Sequence, residues 1–169
     1  DFLREKNILQ ALRRHFPSVK IRIDANQAWS KDEAIQHLNT LYPSDIEYCE
    51  QPVSHTSIDQ LKAVKEAVQV PIAADESVRN KTQAAELSER KAADLLILKP
   101  MLLGSFQTIF VTKELADTHH IKTIFTTSFE TAIGRAAIAV LAAGLSEKDR
   151  AQGVANGRFL KQDVAPESW

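Results

Sequence analysis

The chain has 169 residues, of which 21 are basic and 22 are acidic, so its formal net charge is −1. This balance gives no attraction to nucleic acid or to an anionic membrane surface, and it leaves a small anionic or neutral molecule open as the substrate. The single cysteine excludes an internal disulfide framework, and no segment has the length and apolarity of a signal peptide or a membrane span, which favours a cytoplasmic location.

Hydrophobic periodicity and helix-capping patterns define the elements of the first half of the chain. Ser30 with Glu33, and Ser57 with Gln60, each form a capping-box pattern that begins a helix. In chain order the predicted elements are a helix over 1–16, a strand over 19–24, a helix from 30 to 41, a strand over 46–50, a helix from 57 to about 68 and a strand over 70–74.

The same alternation continues in the second half, where Pro100 ends a strand and Gly144 closes an alanine-rich helix. The predicted elements are a helix over 82–91, a strand over 94–99, a helix over 105–119, a strand over 122–127, a helix over 132–141 and a weaker, short strand within 153–160.

These elements give five strands and a weaker sixth, separated by helices, with no glycine-rich phosphate loop. A closed (β/α)₈ barrel needs eight strands and typically about 250 residues. We therefore predict an α/β fold of the TIM-barrel type that is incomplete, with about five or six of the eight strands. A complete open sheet of five or six strands is the alternative.

Four charged residues recur at the ends of successive predicted strands: Asp24, Glu50, Asp75 and Lys99. The steps between them are 26, 25 and 24 residues, about the length of one strand, one helix and two loops. In parallel α/β folds the carboxyl ends of the strands meet at one rim, where ligands bind. The spacing therefore predicts that these four side chains share one rim.

Three carboxylates in a partly desolvated rim repel one another unless a cation neutralises them. All-oxygen ligation favours a hard ion, with Mg²⁺ first and Mn²⁺ second. A lysine beside such an ion suits proton transfer, and metal with lysine can stabilise an enediolate. Taken singly, each acid could instead cap a helix or lie on the surface, and Cys49 is better interpreted as a small core residue than as a nucleophile.

Six sequence motifs carry a resemblance to a known family. They are Ile21-Arg22-Ile23-Asp24-Ala25-Asn26, Glu50-Gln51-Pro52, Ala74-Asp75-Glu76-Ser77, Ile97-Leu98-Lys99-Pro100, Leu103-Gly104-Ser105 and Thr127-Ser128-Phe129-Glu130. Together they resemble the barrel domain of the enolase superfamily, and within it the o-succinylbenzoate synthase family. The similarity extends from Asp1 to about Gly144.

The resemblance implies a role for each matching position. Asp24, Glu50 and Asp75 would be the ligands of Mg²⁺, and Lys99 the catalytic lysine of the sixth barrel strand, which in the family stabilises the enediolate as a cation. The remaining implied positions are Asn26 and Glu76, which orient ligands or bind a catalytic lysine, and Gly104, Ser105 and Ser128, which line the substrate pocket. The implied reaction is the dehydration of a small succinyl-hydroxycyclohexadiene carboxylate in menaquinone biosynthesis.

In the family a Lys-x-Lys motif on the second strand supplies the base, and an N-terminal capping domain closes over the substrate. Neither precedes Asp1 in this sequence. We therefore expect residues 1–169 to be part of the C-terminal barrel domain, without the capping domain and the first strands, and to be inactive unless the missing part is supplied.

Two other functions remain open. The first is another proton-abstracting member of the superfamily: an N-acylamino acid racemase, a dipeptide epimerase or a muconate cycloisomerase. The second is a noncatalytic α/β module in which the strand-end charges are structural. No feature of the sequence specifies an oligomeric state.

Overall fold

A computed structural model describes residues 1–147 and 150–165 of the chain. The chain divides into two compact units. The first comprises Asp1–Ser77 with Arg90–Asp94, and the second comprises Val78–Glu89 with the chain from Leu95 onward. Within the described residues, no helix is both long and apolar enough to cross a membrane.

The first unit alternates helices with parallel strands, as the sequence predicts. Its elements are α1 (Phe2–His15), β1 (Ile21–Asp24), α2 (Lys31–Leu41), a 3₁₀ helix (Tyr42–Ser44), β2 (Ile46–Glu50), α3 (Ile58–Ala67) and β3 (Ile72–Ala74). β1 pairs in parallel with β2, and β2 pairs in parallel with β3. Parallel neighbours need a crossover helix between them, and α2 and α3 provide it.

The core of the first unit lies between its strands and helices α2 and α3. Leu38, Leu61, Val64 and Ile72 are fully buried there. α1 contributes no buried residue. It is tied to the unit by Arg13, whose guanidinium donates to four backbone carbonyls within 3.0 Å, those of Pro17, Val19, Ser44 and Asp45. A planar guanidinium with five N–H donors suits such a multiple contact.

The capping box predicted at the start of α2 is present. The Ser30 backbone N–H donates to Glu33 Oε2 at 2.9 Å, and the Ser30 hydroxyl accepts from the Glu33 N–H at 3.4 Å. These bonds satisfy two backbone donors that the first helical turn would otherwise leave free. Because the Glu33 carboxylate accepts from the Ser30 hydroxyl and N–H, its pKa lies below the ordinary value.

Replacing Ser30 with alanine removes the cap of α2. We expect Ser30→Ala to lower the free energy of unfolding by about 1 kcal/mol. Urea denaturation of the whole protein, followed by circular dichroism, measures this change. Ser18→Ala is the matched control, since Ser18 is exposed outside the helices. Equal stability of the two variants would contradict the capping role.

The second unit holds the remaining elements. They are α4 (Lys81–Glu89), β4 (Leu95–Leu98), α5 (Pro100–Leu103), α6 (Phe106–Thr118), β5 (Lys122–Phe125), α7 (Ala132–Leu145) and a 3₁₀ helix (Gly157–Phe159). β4 and β5 pair in parallel over four residues, from Leu95 opposite Lys122 to Leu98 opposite Phe125. The apolar strand Leu95–Leu98 is buried at every position, as in a parallel sheet covered on both faces.

Three sequence expectations in the second unit need correction. The predicted strand within 153–160 is wrong, because only an isolated pairing of Gly153 with Thr126 forms there. Gly144 lies inside α7 rather than at its end, and the helix continues to Leu145. The short helix α5 was not predicted; Pro100 does end the strand, but it also occupies a first helical position, where its missing N–H costs nothing.

The start of α7 is capped by a residue far along the chain. Thr131, at the N-cap position, makes no side-chain capping bond. Instead the Asp163 carboxylate accepts from the Ala132 N–H at 2.9 Å and from Arg135 Nη2 at 2.9 Å. Arg135, which is 1% exposed, also donates to the Glu130 carbonyl at 2.7 Å. These bonds, led by that of Ala132, hold the pKa of Asp163 below its ordinary value.

The lowered pKa of Asp163 gives its contribution to stability a defined pH window. The contribution is fully present above the unfolded pKa of about 3.9 and is lost as the pH falls through the lower folded pKa. We expect Asp163→Asn to lower the thermal midpoint near neutral pH and to differ less from the wild type at the acidic end of that window. Glu66→Gln, which alters an exposed ion pair with Lys62, is the control. A difference for Asp163→Asn that is independent of pH would contradict this account.

Candidate active site

Three carboxylates lie at the carboxyl ends of the strands of the first unit. We call Asp24, Glu50 and Asp75 the carboxylate edge. Asp24 and Glu50 are the last residues of β1 and β2 and are direct cross-strand partners, while Asp75 directly follows β3. Asp24 is exposed, Glu50 is half-buried, and Asp75 is 7% exposed. The parallel register therefore brings these predicted site residues to one end of the sheet of the first unit.

Backbone hydrogen bonds continue past the strand ends and hold the loops together. Ala25 N–H donates to the Glu50 carbonyl at 3.0 Å, and Gln27 N–H donates to the Gln51 carbonyl at 2.8 Å. Asn26, Gln27 and Gln51 have φ angles of 46°, 63° and 34°. Residues other than glycine rarely adopt this left-handed region, and strained backbone of this kind concentrates at functional sites.

The side chain of Gln51 connects the loop after β2 with the loop after β3. It is fully buried. Its Oε1 accepts from the N–H groups of Asp75 at 3.0 Å and Ser77 at 3.2 Å. Its Nε2 donates to the Val53 carbonyl at 3.0 Å and to the Ser77 hydroxyl at 2.9 Å. The sequence places Gln51 only in the Glu50-Gln51-Pro52 motif, because nothing local signals a bond to residues 24 and 26 positions away.

The two residues expected to orient ligands lie next to the carboxylate edge. The backbone N–H of Asn26 donates to Asp24 Oδ1 at 2.8 Å, so the main chain of Asn26 contacts the predicted ligand. Glu76 follows Asp75 directly and is half-buried. Gln27, which sequence analysis did not single out, accepts through Oε1 from the His55 N–H at 3.0 Å.

The chemistry of the carboxylate edge fits a hard cation, since its three side chains offer only oxygen donors. In residues 1–147 and 150–165, however, no group of three or more His, Cys, Asp or Glu side chains is gathered as it would be around an ion. Like charges repel, so carboxylates are not expected to converge before a cation is bound. Asp24, Glu50 and Asp75 would hold Mg²⁺ at this edge.

Cys49 has the properties of a core residue, as the sequence predicts. Its side chain is fully buried, and burial raises the pKa of the thiol well above its usual range, with Asp24 and Glu50 adding to the effect. A thiol that stays protonated is a poor nucleophile and a poor metal ligand.

Lys99, Gly104 and Ser105 lie on one continuous segment of the second unit. Lys99 is half-buried and precedes α5, and its carbonyl accepts from the Leu102 N–H at 2.9 Å. Gly104 ends α5 with a φ of 91°, a conformation that favours glycine. The Ser105 hydroxyl caps α6 by accepting from the Thr108 N–H at 3.1 Å.

The loop after β5 holds Ser128 beside a buried acid. The Ser128 N–H donates to the carboxylate of Glu130, which is 5% exposed. Gly134 leaves room for this acid, because a Cβ there would lie 2.7 Å from Glu130 Cβ. Ser128 Oγ and Glu130 Oε1 are buried without a hydrogen-bond partner in the described part of the chain. Glu130 belongs to the Thr127–Glu130 motif, but the sequence predicts no role for it, because its burial cannot be read from spacing.

Comparison with known proteins places the chain in a family. Residues 3–169 match the protein family described as Enolase C-terminal domain-like. An o-succinylbenzoate synthase of Thermobifida fusca is 36% identical over 148 residues, which cover 88% of this chain and 45% of that protein. The chain therefore spans less than half the length of the curated relatives that it matches.

Solved structures show the same fold. The L-Ala-D/L-Glu epimerase of Bacillus subtilis is 31% identical with a TM-score of 0.87, covering 97% of this chain and 46% of that one. The dipeptide epimerase of Enterococcus faecalis, complexed with Mg and the dipeptide L-Leu-L-Tyr, is 28% identical with a TM-score of 0.85, covering 96% of this chain and 46% of that one.

These likenesses confirm two predictions. The fold class is α/β of the TIM-barrel type, with five parallel strands in the described residues and therefore an incomplete barrel. The second confirmed prediction is the resemblance to the enolase superfamily, since the family match covers residues 3–169. The chain belongs to the enolase superfamily.

Proposed function

We propose that the protein containing this chain is an o-succinylbenzoate synthase, a cytoplasmic Mg²⁺-dependent carbon–oxygen lyase of menaquinone biosynthesis. Its substrate would be a small succinyl-hydroxycyclohexadiene carboxylate. The observation that carries the proposal is the 36% identity to the Thermobifida fusca synthase over 148 residues. The carboxylate edge supports the class of chemistry, since Asp24 and Glu50 are paired at the strand ends and Asp75 follows β3.

Asp24, Glu50 and Asp75 would hold the ion. Support comes from their all-oxygen donor set and from the Mg in the dipeptide epimerase complex, a structure 28% identical to this chain. When bound, Mg²⁺ supplies positive charge that stabilises a carboxylate substrate as it gains negative charge. The acid side chains themselves fix where that charge lies.

Lys99 is the residue we assign to the chemical step in this chain. In the dehydration, a base would take a proton from the carbon next to the carboxylate and return it to the hydroxyl group that leaves the adjacent carbon, so that the products are a carbon–carbon double bond and water. Negative charge develops on the substrate carboxylate as the proton leaves. The ammonium of Lys99, at the strand end, would stabilise that charge electrostatically. Gly104, Ser105 and Ser128 would contact the rest of the substrate, with backbone N–H groups suited to its oxygens.

Dipeptide epimerisation is the second candidate function. It is favoured by the solved structures of two dipeptide epimerases, which are 28–31% identical to this chain. Both reactions begin by removing a proton next to a carboxyl-type group, so the carboxylate edge serves either. The two functions differ in the substrate that the pocket accepts and in whether water is lost.

Mg²⁺ should stabilise the protein against heat through the carboxylate edge. An ion present at 100 times its dissociation constant adds about 2.7 kcal/mol to folding stability. We expect Mg²⁺ to raise the thermal midpoint of the whole protein, and Asp75→Asn to weaken Mg²⁺ binding by about 10-fold or more because it removes one charged ligand. Asp59→Asn, at an exposed position near Arg90, is the control. A wild type that Mg²⁺ does not stabilise, or an Asp75→Asn variant that binds normally, would favour the noncatalytic module.

Lys99 should matter for turnover more than for folding. We expect Lys99→Ala in the whole protein to lower kcat for dehydration by roughly 10²–10³-fold, the usual cost of removing one electrostatic contact to developing charge. Lys62→Ala, which removes an exposed lysine paired with Glu66, should leave kcat unchanged.

The same preparations distinguish the two functions. Dehydration of the cyclohexadiene carboxylate is followed by the absorbance of the aromatic product, and epimerisation by deuterium exchange at the α-carbon of L-Ala-L-Glu in D₂O. Dehydration that is faster than α-proton exchange supports the synthase. Epimerisation without dehydration rejects it in favour of the second candidate.

A further inference from the structure

We propose that Gln51 is a positioning residue that sets the Mg²⁺ affinity of the carboxylate edge by fixing the backbone of Asp75 against the end of β2. The inference rests on the proposed metal site and extends it to a side chain that is not itself a ligand. Its basis is the set of four hydrogen bonds made by one buried carboxamide.

The carboxamide of Gln51 is fully engaged with the loops around it. Its oxygen accepts from two backbone N–H groups, at 3.0 Å from Asp75 and 3.2 Å from Ser77. Its nitrogen donates to the Val53 carbonyl at 3.0 Å and to the Ser77 hydroxyl at 2.9 Å. An amide has two acceptor lone pairs and two donor hydrogens, so every bonding position of this side chain is used.

The main chain of Gln51 is fixed as well. Its N–H donates to the Ala73 carbonyl at 2.9 Å, and its own carbonyl accepts from the Gln27 N–H at 2.8 Å. Its φ of 34° lies in a region that costs free energy for any residue other than glycine. One residue therefore ties together the loops that follow Asp24, Glu50 and Asp75.

The chemistry of the contact requires glutamine. Two N–H groups point at one end of the side chain, and two oxygens lie at the other, so an acceptor and a donor are needed on one planar group. Glutamate offers no donor, methionine offers neither, and asparagine is one methylene shorter. A buried side chain that meets these demands fixes the direction of the Asp75 main chain, because leaving the Asp75 N–H unpaired in the interior is costly.

Loss of the bond from the Asp75 N–H to Gln51 would change the position of the Asp75 carboxylate. The Asp75 side chain and the Asp75 nitrogen are bonded to the same Cα. Freeing the N–H from Gln51 would therefore allow the backbone and the carboxylate to turn together. Residues that orient metal ligands without touching the ion typically change metal affinity by about 10–100-fold when they are lost. We expect a change of this size for Gln51.

The test measures Mn²⁺ binding to the whole protein by electron paramagnetic resonance, well below the thermal midpoint of each variant. Gln51→Met keeps the length of the side chain and removes its donors and acceptor. Gln36→Met, at an exposed position of α2, is the matched control for losing a carboxamide. Asp75→Asn reports separately on the metal site.

The expected result is that Gln51→Met binds Mn²⁺ about 10–100-fold more weakly than the wild type, while Gln36→Met binds normally and all variants keep a native circular dichroism spectrum. Normal binding by Gln51→Met, with weak binding by Asp75→Asn, overturns the role of Gln51 and leaves the proposed metal site intact. Normal binding by Asp75→Asn rejects the metal site itself, and the role of Gln51 with it.

A second measurement decides the matter if Gln51→Met does not fold. Hydrogen exchange of the wild-type protein reports on the Asp75 and Ser77 amides directly. We expect both to exchange roughly 100-fold or more slowly than amides of exposed loops, because each is held by the buried oxygen. Exchange of the Asp75 amide as fast as that of an exposed loop overturns the proposal.

Discussion

Parallel pairing of β1 with β2, and of β2 with β3, is the constraint on which the candidate active site depends. Parallel strands end at the same edge of a sheet, so a charged residue placed last on one strand lies beside the last residue of the next. Asp24 and Glu50 are cross-strand partners for this reason. A shift of one residue in register would turn one of these side chains to the opposite face. Gln51 continues the alignment beyond the end of β2, where strand pairing no longer operates, and reaches the backbone of Asp75.

The features that the sequence predicts well are those with local signals. The bounds of β2, Ile46–Glu50, agree with the prediction, because an apolar run ends there at a charged residue and a proline soon follows. The start of α2 is signalled by the Ser30 and Glu33 pattern, and both bonds of the capping box form. The spacing of Asp24, Glu50 and Asp75 predicts that they lie at successive strand ends, and in the first unit Asp24 ends β1, Glu50 ends β2 and Asp75 follows β3.

The features that were missed depend on contacts between distant residues or on elements too short to show a period. α5 has four residues, fewer than the periodicity of a helix needs to be visible. Asp163 caps α7 from 31 positions away. The bonds from Gln51 to Asp75 and Ser77, and the burial of Glu130, follow from how loops meet in three dimensions. Composition and spacing carry no trace of them, although they organise the loops where the predicted site residues lie.

The central claim is that the carboxylate edge binds one divalent ion. Crystals of the whole protein soaked in Mn²⁺ test it most directly, because anomalous scattering locates the ion without assumptions about its ligands. The account predicts one strong anomalous peak within bonding distance of carboxylate oxygens of Asp24, Glu50 and Asp75. A fully soaked crystal with no peak at these three residues, or with its ion bound elsewhere, would contradict the account.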